Sequence, residues 1–136
     1  MATLARVVVI AVFLGGALGT SLRLGLDLGT AALDWPAGWS TVVVNVLGSF
    51  LLGVVISRLP ARAPHWLRAG LGAGTLGGFT TFSALAVMIV AAPDAGALPL
   101  AFGQLILSLV LGIAAAMAGL ATGPGRSRVP VVSEDE

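Results

Sequence analysis

Four apolar runs alternate along the chain with short stretches rich in proline, glycine and charge. A helix needs about 20 mostly apolar residues to span the hydrocarbon core of a bilayer, and residues 4–22, 39–56, 67–92 and 98–121 approach or exceed that length. The joints between them are Asp34-Trp35-Pro36-Ala37-Gly38, then Ser57-Arg58-Leu59-Pro60-Ala61-Arg62-Ala63-Pro64, then Ala92-Pro93-Asp94-Ala95-Gly96. Pro64 and Pro93 cannot continue a helix cheaply and so mark turns. The pattern predicts an all-α integral membrane protein with four transmembrane helices over residues 1–122. Residues 123–136 hold Pro124, Gly125, Pro130 and Glu134-Asp135-Glu136, and read as a disordered, solvated tail. The first twenty residues share the outline of a signal peptide, but Arg23 and the glycines before it fit a retained span better.

The third run is not uniformly apolar. It carries Gly72-Ala73-Gly74-Thr75-Leu76-Gly77-Gly78-Phe79-Thr80-Thr81-Phe82-Ser83. At mid-membrane depth no water satisfies an unwound backbone, so such a segment survives only where protein or an ion replaces it. Glycines let the chain leave helical geometry, and neighbouring hydroxyls re-satisfy the freed groups. The third helix is therefore predicted to break near its middle. Broken helices are where transporters place their ion sites.

Composition narrows the function further. Of 136 residues, 57% are hydrophobic and 10% charged, against about 25% charged in soluble domains. There is no cysteine and a single histidine, which leaves acid–base, thiolate and metal-assisted catalysis almost nothing to use. The prediction is that the chain is not an enzyme. Its seven basic residues are all arginine, scattered and nearly balanced by six acids, which argues against nucleic acid as a partner. Arg6, Arg58, Arg62, Arg68, Arg126 and Arg128 flank one side of a four-span arrangement, and Arg23 alone lies near the other. Positive charge stays cytoplasmic, so the sequence predicts a multi-pass plasma-membrane protein with both termini inside. Trp35, Trp39 and Trp66 fall at predicted helix ends, where tryptophan anchors to membrane lipid at the interface.

Few polar groups remain inside the spans. Asn45 lies well within the second, and a buried amide there is either interhelical glue or a donor to a permeating anion. Gly48 and Gly53 thin the same helix. Gln104 and Ser108, four apart in the last span, share one face, as do Gly112 and Ala116. Phe82 stands between Thr81 and Ser83, and an aromatic ring presents a positive edge that an anion can approach. Arg23 either snorkels to the interface or lines a vestibule. Gly15 with Gly19, and Gly74 with Gly78, have the spacing of close helix contacts.

Four of these stretches resemble one family. Gly15-Gly16-Ala17-Leu18-Gly19-Thr20-Ser21-Leu22-Arg23, Val44-Asn45-Val46-Leu47-Gly48-Ser49-Phe50, Gly77-Gly78-Phe79-Thr80-Thr81-Phe82-Ser83 and the region from Ser108 to Gly112 are similar, in order, to the Fluc (CrcB) fluoride channels. The third stretch is the most specific. The resemblance implies four-helix subunits paired as antiparallel, dual-topology dimers with two pores that export fluoride passively. It implies Asn45 and Phe82 as pore residues, with Thr81, Ser83 and Ser108 as polar lining. It also implies a structural sodium ion at the dimer centre, held by the backbone carbonyls of Gly77 and Thr80.

The chain departs from that family in two places. Leu85 stands where a second phenylalanine is usual, and Gln104 where tyrosine is usual, an amide still able to donate to an anion. A weakened or non-conducting scaffold subunit of a heterodimeric channel, paired with a paralogue, is thus one alternative. A small four-helix proton-coupled cation exporter is another. It requires an intramembrane carboxylate, whereas Asp27, Asp34 and Asp94 fall at predicted helix ends or loops.

Overall fold

The structure is a computed structural model and describes residues 2–60, 62–91 and 96–124. Among the described residues the chain is helical with no strand, and four helical stretches are long and apolar enough to cross a membrane. The first is α1 (Ala2–Ala32) and the second α2 (Trp39–Arg58). The third is composite: α3 (His65–Ala69), a π-helical stretch (Gly70–Leu76), one turn of α4 (Gly77–Phe79) and, after a gap, α5 (Ser83–Val90). The last is α6 (Leu98–Ala121), with Pro99 in its first turn, where a missing N–H costs nothing. The predicted tail from residue 125 onward, and Ala92 at the predicted end of the third span, lie outside the described residues.

Helix α1 departs most from expectation. Nothing in Leu24-Gly25-Leu26-Asp27-Leu28-Gly29-Thr30 stops it, and it runs 31 residues, about 46 Å against a hydrocarbon core of about 30 Å. It ends where Asp34 takes a left-handed φ of 53°. Asp34 N–H then donates to Ala31 O (3.2 Å) and Trp35 N–H to Thr30 O (3.0 Å), the paired bonds that close a helix when one residue turns left-handed. Aspartate is among the few residues that tolerate that conformation. Arg23 and Asp27, expected at a helix end, therefore lie within α1.

The helices pack as two pairs. In the first, α1 lies along the π-helical stretch and α4 through glycines on both sides. A side chain on Gly19 would overlap the Thr75 carbonyl, one on Gly74 the Val12 backbone, and one on Gly78 the Gly16 carbonyl. Both glycine spacings thus serve one contact inside the subunit, where close backbone approach supplies the dispersion attraction that holds helices together in lipid. In the second pair, α2 runs beside α6. Gly53 and Gly119 face each other, Ser57 Oγ donates to Gly119 O (3.1 Å), and Arg58 Nε donates to Thr122 O (3.2 Å). The shared core is small, built on Val42, Val44, Leu76, Phe79 and Leu85, and most other large apolar side chains face outward. An aqueous protein does not leave so large an apolar surface uncovered; membrane lipid is its natural solvent.

Candidate functional site

The third span loosens before it breaks. In the π-helical stretch Thr75 Oγ1 donates to Gly70 O (3.1 Å), and the Gly77 N–H reaches Gly72 O, five residues back. Wide turns of this kind recur at functional sites, and glycines at 70, 72 and 74 leave the backbone free to make one. Thr80 N–H and Thr80 Oγ1 then both donate to Leu76 O (2.9 Å each), and at Thr80 the chain turns extended, with φ −78° and ψ 154°. The helix resumes at Ser83, where Ala84 N–H donates to Thr81 Oγ1 (3.2 Å) and Ala86 N–H to Phe82 O (3.1 Å).

Asn45 clasps the gap. Its Nδ2 donates to Thr81 O (2.9 Å) while its Oδ1 accepts from Thr81 N–H (2.8 Å), so one side chain satisfies both backbone groups of one residue. The second Nδ2 hydrogen goes to Ser108 Oγ on α6 (3.2 Å). An amide offers two donors, and both are used. The asparagine is the glue that lets the backbone break inside a membrane, and no N–H of Asn45 is left over for an ion.

The same diversions expose two carbonyls. In a continuous helix Thr81 N–H would donate to Gly77 O and Ala84 N–H to Thr80 O. Asn45 takes the first donor and Thr81 Oγ1 the second. Among the described residues no hydrogen bond reaches Gly77 O or Thr80 O. No group of three or more His, Cys, Asp or Glu side chains is gathered to hold a metal among those residues either. A further group without a hydrogen-bond partner among the described residues is the buried Nε of Arg23.

A groove of about 660 Å³ opens beside the clasp, between α2, the third span and α6. Its polar lining is Asn45, Ser49, Thr80, Thr81 and Ser108, set among Gly48, Leu52, Leu76, Leu85 and Gly112. Thr80 spends its hydroxyl hydrogen on Leu76 O, and Thr81 Oγ1 is shared between Ala84 N–H and Ser83 Oγ (3.1 Å). Ser108 is 4% exposed. Its oxygen accepts from Asn45, so its own hydrogen stays free.

Of the residues predicted for the pore, Asn45, Thr81, Phe82 and Ser108 line this groove, with Phe82 65% exposed at its edge. Ser83 is exposed and meets the groove only through Thr81. Gln104 does not enter it. That side chain is 2% exposed and donates from Nε2 to Ala37 O (2.9 Å), bracing the turn before α2. Gly38 there has a φ of 85°, and a side chain on it would strike Met88 and Gln104. Arg23 does not line the groove, and Leu85 is 2% exposed, packed against its floor. Ser49, lining the groove one turn after Asn45, was not singled out by the sequence; its (i, i+4) spacing from Asn45 was the available signal.

Residues 10–120 match the family model described as CrcB-like protein, Camphor Resistance (CrcB). Curated relatives agree over most of both chains. The fluoride-specific ion channel FluC 2 of Thermobifida fusca is 44% identical over 120 residues, 85% of this chain and 89% of its own. The fluoride-specific ion channels FluC of Agrobacterium fabrum and of Cereibacter sphaeroides are 40% and 42% identical over 112 and 115 residues, covering 80% and 84% of this chain and 90% and 92% of theirs. With the broken third span, the Asn45 clasp and these matches together, the chain belongs to the CrcB family.

Proposed function

We propose that this chain is a subunit of a fluoride-specific ion channel that lowers cytoplasmic fluoride by passive export, and not an enzyme. The observation that carries the reading is the hydroxyl of Ser108, which lines a largely apolar groove and accepts from Asn45 while no protein acceptor among the described residues takes its hydrogen. A narrow dry path with a few donors selects an anion by replacing its water shell. A hydroxyl whose oxygen already accepts a hydrogen bond is polarised and donates more strongly. Asn45 acts through Ser108 and through the break, and the exposed Phe82 adds a ring edge at the groove rim. The channel names of the relatives support the same substrate.

The groove is open rather than enclosed, which fits a second subunit as a missing wall. In an antiparallel, dual-topology dimer the two-fold axis doubles every ligand. The carbonyls of Gly77 and Thr80, left without donors by the break, fit a structural sodium ion near such an axis, because an unpaired carbonyl in hydrocarbon favours a cation. The ion would supply fixed positive charge that pins the two breaks together. The scaffold alternative retains weight from Leu85, whose buried aliphatic side chain presents no ring edge to the groove. The exporter alternative gains nothing: neither Asp27 nor Asp34 lines the groove, and Asp94 lies outside the described residues.

Proteoliposomes loaded with fluoride test the function, using this chain alone and co-expressed with a paralogue. Fluoride efflux without chloride efflux is the expected result. Proton-coupled cation transport with no fluoride flux in either preparation overturns it. For the sodium ion, Thr80→Ala should keep the assembly as stable in sodium as the native chain, because the carbonyl survives the change, and sodium should stabilise both over a bulky organic cation. Equal stability in both salts removes the ion.

A further inference from the structure

We propose that Ser49 is a second anion ligand, a loading site one helical turn from Ser108 toward the arginine-bearing end of the subunit. The inference rests on the fluoride reading above and adds a residue to it. Helix α2 runs from Trp39 to Arg58 and α6 runs alongside in the same direction, with Arg58 meeting Thr122 at their ends. One turn beyond Asn45 on α2 is Ser49, and one turn beyond Ser108 on α6 is Gly112.

Serine and threonine in a helix can turn the hydroxyl back onto a carbonyl three or four residues earlier. Thr30 and Ser57 do so here within their helices, on Leu26 and Val54, and Thr80 and Thr122 at helix ends, on Leu76 and Gly119. Ser49 does not. Among the described residues no hydrogen bond engages its hydroxyl, although it lines the groove and is half-buried. The space in front of it is kept by a glycine: a Cβ on Gly112 would stand 3.3 Å from Ser49 Oγ. Among the described residues, the hydroxyl hydrogens of Ser49 and Ser108 meet no protein acceptor, whereas that of Thr80 goes to Leu76 O and Thr81 shares with Ser83 a bond in which either hydroxyl can donate. An unpaired hydroxyl is costly in an apolar setting, and a partly dehydrated anion is the acceptor the groove can deliver. Two donors in file let an ion be handed along without being held too tightly at one point, which conduction requires.

The test compares fluoride efflux from Ser49→Ala and Ser49→Cys in whichever assembly conducts with the native chain. Cysteine keeps the volume but is a weak donor, so it separates donation from packing. Both variants should assemble normally and lose about tenfold in flux at low fluoride. The deficit should shrink as fluoride rises, because a lost loading site lowers occupancy. Native-like flux in either variant, or a deficit equal at all concentrations, overturns the role of Ser49 while leaving the channel reading intact. Absence of flux from the native assembly overturns both.

Discussion

Asn45→Asp should abolish fluoride flux, by about a hundredfold or more, with the subunit still inserted and assembled. The change removes two N–H donors and leaves a group that, when ionised, only accepts. Half of the clasp survives, because a carboxylate oxygen can still receive Thr81 N–H. The other half fails: the second oxygen faces Thr81 O, now 2.9 Å from a donor, and two acceptors repel. Ser108 would turn its hydroxyl hydrogen toward the new carboxylate, withdrawing the donor that the groove otherwise offers. The negative charge also repels any anion in the groove. Ser108→Ala isolates one part of this, since it leaves both bonds between Asn45 and Thr81 in place. It should lose flux without loosening the break. Efflux from proteoliposomes, with size-exclusion profiles as the control for assembly, measures both. Normal conduction by the aspartate variant would mean that the path runs elsewhere.

The architecture was legible because its causes are local. Spans follow from runs of apolar residues, and the break follows from glycines and hydroxyls between residues 72 and 83. The π-helical widening ahead of the break was not legible, since glycine only permits it and the stretch lies against α1, a tertiary contact that the local sequence does not state. The length of α1 was also missed, because Leu24–Ala32 contains neither a stop signal nor a charge cluster, and Asp34 closes the helix by a tolerance rather than a preference. At the site, the types of residue were readable and their partners were not. Gln104 and Ser108 share a face of α6, yet one braces a loop and the other meets Asn45. Periodicity gives the face; only the neighbouring helix decides what each side chain touches. Of the two roles open for Asn45, glue or donor, the hydrogen bonds show the first, with both N–H groups spent on Thr81 O and Ser108 Oγ; that the glue also orients the Ser108 donor belongs to the proposed function.

A reporter fused to the C-terminus should be found almost wholly on the cytoplasmic side when this chain is expressed alone. A subunit that inserts both ways needs an arginine bias near zero, because cytoplasmic loops retain positive charge. Arg6, Arg58, Arg62 and Arg68 all lie at one end of the bundle, at the start of α1, the end of α2 and around the start of α3. Arg58 and Arg68 are fixed there by bonds to Thr122 O and Pro60 O. Arg126 and Arg128 belong to the same side of the sequence and lie outside the described residues. The single opposing charge weakens on inspection, because Arg23 sits inside α1 rather than in a loop. It is 17 residues from Arg6, about 25 Å along the helix and still within a hydrocarbon core of about 30 Å. The bias is therefore at least as one-sided as the sequence suggests. If the working dimer is antiparallel, its other half must then be a paralogue with the opposite charge bias, able to supply the aromatic group that Leu85 does not. Co-expression with such a paralogue should raise fluoride flux severalfold over this chain alone. Equal inside and outside populations from this chain alone, with full flux, would instead make the antiparallel pair a homodimer.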